Sequence, residues 1–380
     1  MKIGIPRETA AGERRVAATA ETVRKAVAMG FEVLVESGAG TNAAVPDPAY
    51  VEAGARIVRS AAELYGVANV ILAVQPPDDD ALAAMAPDAV VIGMLQPLDR
   101  PERVRAFAKR GITALALELL PRITRAQTMD VLSSQSNIAG YGSVLLAATR
   151  YGRLFPMMMT AAGTIVAARM LVLGAGVAGL QAIATGRRLG AVVSAYDVRP
   201  EVKEQVQSLG ARFVEVGAAG EAGASTGTGY AGEMSDAYKA REREVLAAQV
   251  AKTDVVISTA LIPGRPAPRL ISADMVAAMR PGAVIVDLAA ANGGNCELTR
   301  ADEVVTHGGV TLIGTLNLPA LWAGDASHLF ARNLMAFIEP MVDKASRTLK
   351  VDPADEIVGA CLLTRGGRVV HPRFAEKETS

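Results

Sequence analysis

Residues 170–184 read Met170-Leu-Val-Leu-Gly-Ala-Gly-Val-Ala-Gly-Leu-Gln-Ala-Ile-Ala184. Met170–Leu173 has the composition of a buried strand, and Gly174, Gly176 and Gly179 follow it as G-x-G-x-x-G. An alanine-rich helical pattern continues to Gly190, and a second apolar strand, Val192–Tyr196, ends at Asp197. Strand, glycine turn, helix, strand and acid, in that order, are the context in which this motif binds a dinucleotide. Gly174 permits the tight turn, Gly176 lets the backbone approach a pyrophosphate, and Gly179 lets the helix pack closely on the strand. The N–H groups of the helix N-terminus then face the phosphates. Asp197 can accept hydrogen bonds from both hydroxyls of an adenosine ribose and would repel a 2′-phosphate, which favours NAD over NADP. Arg199 leaves two readings open, a partner for a 2′-phosphate or a solvated side chain near the adenine edge, and Asp197 favours the second.

The composition bounds what surrounds this motif. A chain of 380 residues, 51% hydrophobic and 21% charged, is expected to form two globular domains with substantial cores. Its net charge of zero argues against a nucleic-acid binder that relies on bulk attraction. Cys296 and Cys361 fit no metal spacing and suggest a reducing compartment, and no metal site is expected. The N-terminus enters a strand directly, with no signal-peptide pattern. The longest apolar stretch, Met157–Leu180, contains Arg169 and the glycine turn, so no membrane-spanning segment is expected.

The N-terminal third of the chain alternates strands and helices. Strands are expected at Lys2–Ile5, Phe31–Glu36, Arg56–Val58, Asn69–Val74, Ala89–Ile92 and Ile112–Leu117. Thr19 is the expected cap of a helix closed by Gly30, and Pro101 and Gly111 bracket another. This is the pattern of a doubly wound parallel sheet, here without a phosphate motif of its own. The predicted fold class is therefore α/β, with two doubly wound, Rossmann-like domains. The first is discontinuous, residues 1–135 plus 318–380, because the amphipathic stretch Pro319–Ile338 is expected to return to it. The second spans residues 136–317. A glycine-rich loop, Gly217–Gly232, with Tyr230 its only aromatic residue, reads either as a lid over bound nucleotide or as an insertion. Ile357–His371 is expected as a short strand or hairpin turning at Gly366-Gly367.

Residues 118–139 crowd polar side chains between the two apolar domains: Arg122, Arg125, Gln127, Asp130, Ser133, Ser134, Gln135, Ser136 and Asn137. If Arg125–Leu132 is helical, Gln127 and Asp130 share a face, and from Ser136 a long connecting helix is expected to run to about Arg150. The segment is either a solvated loop and helix cap or the polar lining of a ligand cleft. The second is favoured because ligands on such folds lie at strand C-termini. The three histidines, His307, His328 and His371, lie in no polar cluster. The sequence thus offers a nucleotide site without an obvious proton-transfer group, although Asp130 could serve as one. Hydride transfer between two nicotinamides needs none, only close approach, orientation and exclusion of water.

Lys2-Ile-Gly-Ile-Pro-Arg-Glu8, Arg15-Val-Ala17, Phe31-Glu-Val-Leu-Val-Glu-Ser-Gly-Ala-Gly40, Thr259-Ala-Leu-Ile-Pro-Gly264 and Arg280-Pro-Gly-Ala-Val-Ile-Val-Asp287 resemble the alanine dehydrogenase and transhydrogenase superfamily. Pro121-Arg-Ile-Thr-Arg-Ala-Gln-Thr-Met-Asp-Val-Leu-Ser-Ser-Gln-Ser-Asn137 and Phe155-Pro-Met-Met-Met-Thr-Ala-Ala-Gly-Thr164 narrow the resemblance to the NAD(H)-binding component, domain I, of proton-translocating NAD(P) transhydrogenases. Alanine dehydrogenases place a substrate-binding Lys and a catalytic His at positions that match Gln75 and Gln96 here. Neither glutamine replaces a cation or a titrating imidazole.

The resemblance implies that Arg122, Gln127, Asp130 and Ser133 surround the nicotinamide ring, with Gln127 bringing the partner's NADP(H) alongside. It implies that Ala175, Gly176 and Val177 meet the pyrophosphate, and that Asp197 and Val198 hold the adenosine ribose, with Arg199 a further candidate there. Tyr230 would tip the closing loop, and Gly264 would lie near the nucleotide. It further implies a homodimer that carries NAD(H) and docks, in the cytoplasm, onto an inner-membrane proton-channel subunit and a separate NADP(H)-binding domain. The activity implied is that of a Re/Si-specific NAD(P)+ transhydrogenase, with proton translocation left to other chains. The rival expectations are an NAD-dependent alanine dehydrogenase and a non-catalytic NAD-sensing module.

Overall fold

The structure, a computed structural model, describes residues 1–217, 235–262, 264–343 and 345–375. Tyr230 and nearly all of the 217–232 segment lie outside the described residues. The chain divides into two compact units, Met1–Gln135 with Pro319–Ser380, and Ser136–Leu318. The first unit supplies strands β1 (Lys2–Ile5), β2 (Glu32–Glu36), β3 (Arg56–Val58), β4 (Val70–Ala73), β5 (Val90–Gly93) and β6 (Thr113–Ala116). The second supplies β7 (Arg169–Leu173), β8 (Val192–Tyr196), β9 (Arg212–Phe213), β10 (Val255–Ser258), β11 (Val284–Asp287), β12 (Val304–His307) and β13 (Val310–Ile313). The chain then returns to the first unit with β14 (Leu362–Arg365) and β15 (Arg368–Val369).

The first sheet has the order β15-β14-β6-β5-β4-β1-β2-β3, parallel from β6 through β3, with the β14–β15 hairpin antiparallel at one edge. Both faces are buried, and strand side chains alternate between them. Ile3, Ile5, Val33, Val35, Val70, Leu72, Ile92 and Leu115 pack with Phe330, Leu334 and Phe337 of the helix Ala323–Ile338. Leu34, Ile71, Val91, Ala114 and Ala116 pack on the other face with Leu64 and Phe107. The second sheet has the order β9-β8-β7-β10-β11-β13-β12, with only the edge strand β12 antiparallel. Met170, Val172, Val255, Ile257, Val284 and Val286 face one core, and Leu171, Leu173, Val256 and Ile285 the other. Each sheet reverses its strand order once, between β1 and β4 in the first and between β7 and β10 in the second. Ligands of doubly wound sheets bind at such switch points.

Three expectations from the sequence are corrected. Residues 125–132 do not form one helix. A 3₁₀ turn, Thr124–Met129, ends at Asp130, whose backbone is extended, and the long helix begins at Val131 and runs to Arg150, five residues earlier than expected. Asp130 causes the break: its Oδ1 accepts from the Ser133 N–H at 2.9 Å, capping the new helix. Residues 357–371 are not all hairpin, because Asp355 caps a short helix, Glu356–Cys361, before β14. A two-stranded ribbon that the sequence did not signal, Met158–Thr160 with Gly163–Ile165, follows the long helix. Among the described residues no helix is long and apolar enough to cross a membrane.

A buried ion pair ties the first unit together. The Arg15 guanidinium donates from Nε to Glu13 Oε1 at 2.8 Å and from Nη2 to Oε2 at 2.6 Å, with both side chains almost fully enclosed. Its Nη1 donates to Gln135 Oε1 at 2.9 Å, and Gln135 Nε2 donates to the Ala326 carbonyl. Burial alone would raise the Glu13 pKa, but the Arg15 and Gln75 bonds outweigh it and hold the carboxyl at about 2. The pair's contribution is therefore present above the ordinary carboxylate value and lost as pH falls through about 2. Arg15→Met is expected to cost about 3–5 kcal/mol in denaturant unfolding near neutrality, since it strands a buried carboxylate. The difference from wild type should shrink as pH falls from 4.5 toward 2; a difference independent of pH would contradict this assignment.

Candidate functional site

At the switch point of the second sheet, the three glycines do three separate jobs. Gly174 has φ +94°, and its N–H donates to the Tyr196 carbonyl at 2.8 Å. Gly179 lies on the helix Val177–Arg188, where a Cβ would fall 1.8 Å from the Gly174 carbonyl oxygen. Gly176 is the N-cap of that helix, and a Cβ there would meet nothing within 4 Å. Gly174 and Gly179 are thus required by the fold, while Gly176 borders open space that a pyrophosphate can approach. No side chain caps this helix N-terminus among the described residues, so its first N–H groups and the positive end of its dipole remain available to an anion. Val177, the first helical residue, is exposed at this edge. The residues present fit a dinucleotide.

Asp197 is joined directly to the turn. Its Oδ2 accepts from the Ala175 N–H at 2.7 Å. Arg199 is not the solvated side chain favoured from sequence: its Nε donates to Asp197 Oδ1 and its Nη2 to Oδ2, both at 2.9 Å. Val198, half-buried between them, packs against the second unit's core. Across the switch point, the strand β10 runs into Thr259, whose hydroxyl donates to the Gly174 carbonyl at 3.0 Å. The loop that follows is pinned by Asn295, fully buried. Asn295 Oδ1 accepts from the Ser258 hydroxyl and the Ala260 N–H, while Nδ2 donates to the Ala260 and Pro268 carbonyls. Gly264 stands further along this loop, exposed and at φ +68°. Sequence reading missed Asn295. It also missed Gly140 on the long helix, where a Cβ would lie 2.1 Å from the Ala178 carbonyl oxygen of the nucleotide helix. The positive φ of Gly293 and Gly294, just before Asn295, was the available signal for the first.

The polar segment belongs to the first unit. Gln127 and Arg122 are exposed, and Asp130 and Ser133 are half-buried. Asp130 and Ser133 are one another's partners: the Ser133 hydroxyl donates to Asp130 Oδ2 and the Ser133 N–H to Oδ1. Gln127 sits on the 3₁₀ turn, with its carbonyl facing the Asp130 N–H at 3.4 Å. Arg125 pairs instead with Asp355, at 2.8 Å.

The first sheet's own switch point is closed by its side chains. Glu8 accepts from the Val74 and Gln75 N–H groups, Glu118 from the Leu95 and Gln96 N–H groups, and Glu36 from the Arg7 N–H. The strand-end donors that could meet a phosphate are therefore occupied by carboxyl groups. Burial pushes the Glu8 pKa up to about 8 and that of Glu118 to about 7. The penalty for ionising them in the fold thus builds as pH rises from 4.5 through those values. Gln96 Nε2 donates to Gln75 Oε1 at 3.0 Å, and Gln75 Nε2 to Glu13 Oε2 at 2.8 Å, which leads on to Arg15. None of the three histidines joins this network. His307 lies on the exposed edge strand, His328 is exposed 3.7 Å from Glu21, and His371 accepts at Nδ1 from the Arg373 N–H. Among the described residues no cluster of His, Cys, Asp or Glu could hold a metal ion.

The glycine roles separate cleanly by stability. Gly176→Ala should melt as wild type does, while Gly179→Ala should lose about 2 kcal/mol or more through overpacking. Equal melting temperatures for the two variants would contradict the tight contact.

Comparison with known proteins agrees with this geometry. Residues 4–139 match the family described as alanine dehydrogenase/PNT, N-terminal domain, and residues 143–372 its C-terminal domain. The chain is 50% identical over 377 residues to the first portion of the NAD(P) transhydrogenase alpha subunit of Rhodospirillum rubrum, a separate chain there, covering 98% of each. Its fold matches the transhydrogenase from Sinorhizobium meliloti with a TM-score of 0.89 at 48% identity, over 97% of this chain and 100% of that one. An L-alanine dehydrogenase matches with a TM-score of 0.81 at 26% identity, over 98% of both. With both of its halves matched by the family's domains, the chain belongs to the alanine dehydrogenase/PNT family, and within it is similar to the alpha subunits of NAD(P) transhydrogenases.

Proposed function

We propose that the chain binds NAD(H) at the second unit's glycine turn and presents it for direct hydride transfer to NADP+ on a partner domain. The observation that carries this reading over an amino-acid dehydrogenase is the Gln96–Gln75–Glu13–Arg15 chain of hydrogen bonds. Amino-acid oxidation needs a cation for the substrate carboxylate and a group that takes a proton. Here Arg15 is consumed by Glu13 and Gln135, and two amides stand where alanine dehydrogenases carry Lys and His. Asp130 makes a poor base, because both its oxygens already accept from Ser133.

When bound, NADH supplies the hydride, which moves from one nicotinamide C4 to the other, giving NAD+ and NADPH with no proton taken up or released. The protein's share is placement. The turn N–H groups at Ala175, Gly176 and Val177 hold the pyrophosphate, and Asp197 holds the ribose. Arg122, Gln127, Asp130 and Ser133 hold and shield the ring, and Asp130 positions Ser133. Tyr230 and Gly264 are further proposed contacts. The sensor reading is disfavoured because a binding module has no need of polar groups around a reacting ring.

The partners proposed are a membrane proton-channel subunit and an NADP(H)-binding domain, in keeping with the subunit name of the Rhodospirillum rubrum relative. They place the chain at the cytoplasmic face of the inner membrane. A second copy of the chain is the partner proposed for the Met158–Ile165 ribbon. A lone two-stranded ribbon is marginal in water, yet this one is flanked by Met157, Met159 and Val166, 63%, 75% and 64% exposed.

The test is NADH oxidation with pyruvate and ammonium, then with the NADP(H)-binding partner domain and NADP+. Turnover is expected only after the partner arrives; oxidation with pyruvate and ammonium alone would overturn the reading. Gln127→Asn should slow transhydrogenation at least tenfold while changing NADH affinity little. Parallel losses in both would remove the role given to Gln127.

A further inference from the structure

Asp197 has no acceptor position left for a ribose. A carboxylate offers about four lone-pair sites, and four donors face this one. Oδ2 accepts from the Ala175 N–H at 2.7 Å and from Arg199 Nη2 at 2.9 Å. Oδ1 accepts from the Arg199 N–H and from Arg199 Nε, both at 2.9 Å. The Asp197 side chain is 6% exposed and that of Arg199 18%, so the pair is shielded from competing water. Two of the donors are backbone groups fixed by the turn and by the segment after β8. The other two belong to one planar guanidinium, whose fork matches the carboxylate. A ribose hydroxyl can reach Asp197 only where the guanidinium withdraws.

We propose that Arg199 is a specificity-determining residue that competes with the nucleotide ribose for Asp197. This rests on the reading of the glycine turn as the NAD(H) site. Two consequences follow from the geometry. Displacing a two-bond, charge-assisted contact lowers NADH affinity, so the wild-type site binds and releases NADH more readily than a bare aspartate would. The withdrawn guanidinium is tethered two residues from Asp197 and stays at the ribose edge. There it meets a 2′-phosphate and offsets the repulsion from Asp197. Arg199 therefore weakens NADH and favours NADPH, narrowing the discrimination that Asp197 creates.

The experiment compares dissociation constants of NADH, NADPH and reduced nicotinamide mononucleotide, which lacks the adenosine ribose. Each is measured by calorimetry on the full chain as wild type, Arg199→Ala and Arg199→Lys, with melting temperature as the check on folding. Arg199→Ala should bind NADH roughly three- to tenfold more tightly and NADPH more weakly, leaving the mononucleotide unchanged. Arg199→Lys keeps the charge but lacks the planar fork, so it should also tighten NADH, and it carries the test where the alanine variant fails to fold. Weaker NADH binding in these variants would mean that the arginine contacts the nucleotide and would overturn the proposal, as would an equal change for the mononucleotide. A wild-type chain that binds no NADH would overturn the underlying site reading itself, before Arg199 is in question.

Discussion

The second unit is built around a contact that leaves no room for a side chain: the Gly179 Cα against the Gly174 carbonyl, where a Cβ would stand 1.8 Å from the oxygen. That approach sets how closely the helix Val177–Arg188 enters the end of β7. It leaves the Ala175 N–H pointing at Asp197 and the helix N-terminus open at Gly176. Neighbouring elements are fitted to the same spot. The Thr259 hydroxyl bonds the Gly174 carbonyl, and Asn295 fixes the backbone just beyond Thr259. Gly140 allows the long helix to meet Ala178. The fold makes an anion site by withholding side chains from one turn, and it uses buried amides and hydroxyls to keep that turn in place.

The first unit takes the same kind of sheet in the opposite direction. At its switch point, carboxyl groups of Glu8, Glu36 and Glu118 occupy strand-end N–H groups, and glutamines fill the space in front of Arg15. A bound anion would have to displace internal acceptors already in place, several of them partly or fully buried. The two units therefore divide their work through hydrogen-bond occupancy rather than topology. One leaves its strand-end donors open, and the other satisfies them internally.

Much of this was legible in the sequence because it depends on local pattern. The glycine spacing, the apolar strands and the acid at Asp197 lie within one short stretch, and strand alternation follows directly from side-chain direction. What was not legible depends on partners distant in the chain or on a single capping bond. Asp130 splits the polar segment because its side chain prefers the Ser133 N–H to a helical turn, a choice that composition cannot reveal. Arg199 read as a solvated residue because nothing in the order Asp-Val-Arg announces a bidentate contact two positions back. Asn295 and Gly140 act on residues far from them in sequence. Of the candidate residues, Tyr230 lies outside the described structure.

The central claim is that hydride passes directly from NADH on this chain to NADP+ on its partner, and isotope transfer tests it most directly. NADH deuterated at the transferring C4 position would be incubated in ordinary water with this chain, NADP+ and the NADP(H)-binding domain, and the products read by mass spectrometry. The expected result is NADPH carrying one deuterium for every NADH oxidised, with none lost to solvent. NADPH without deuterium, or NADH oxidation with no NADPH formed, would contradict it.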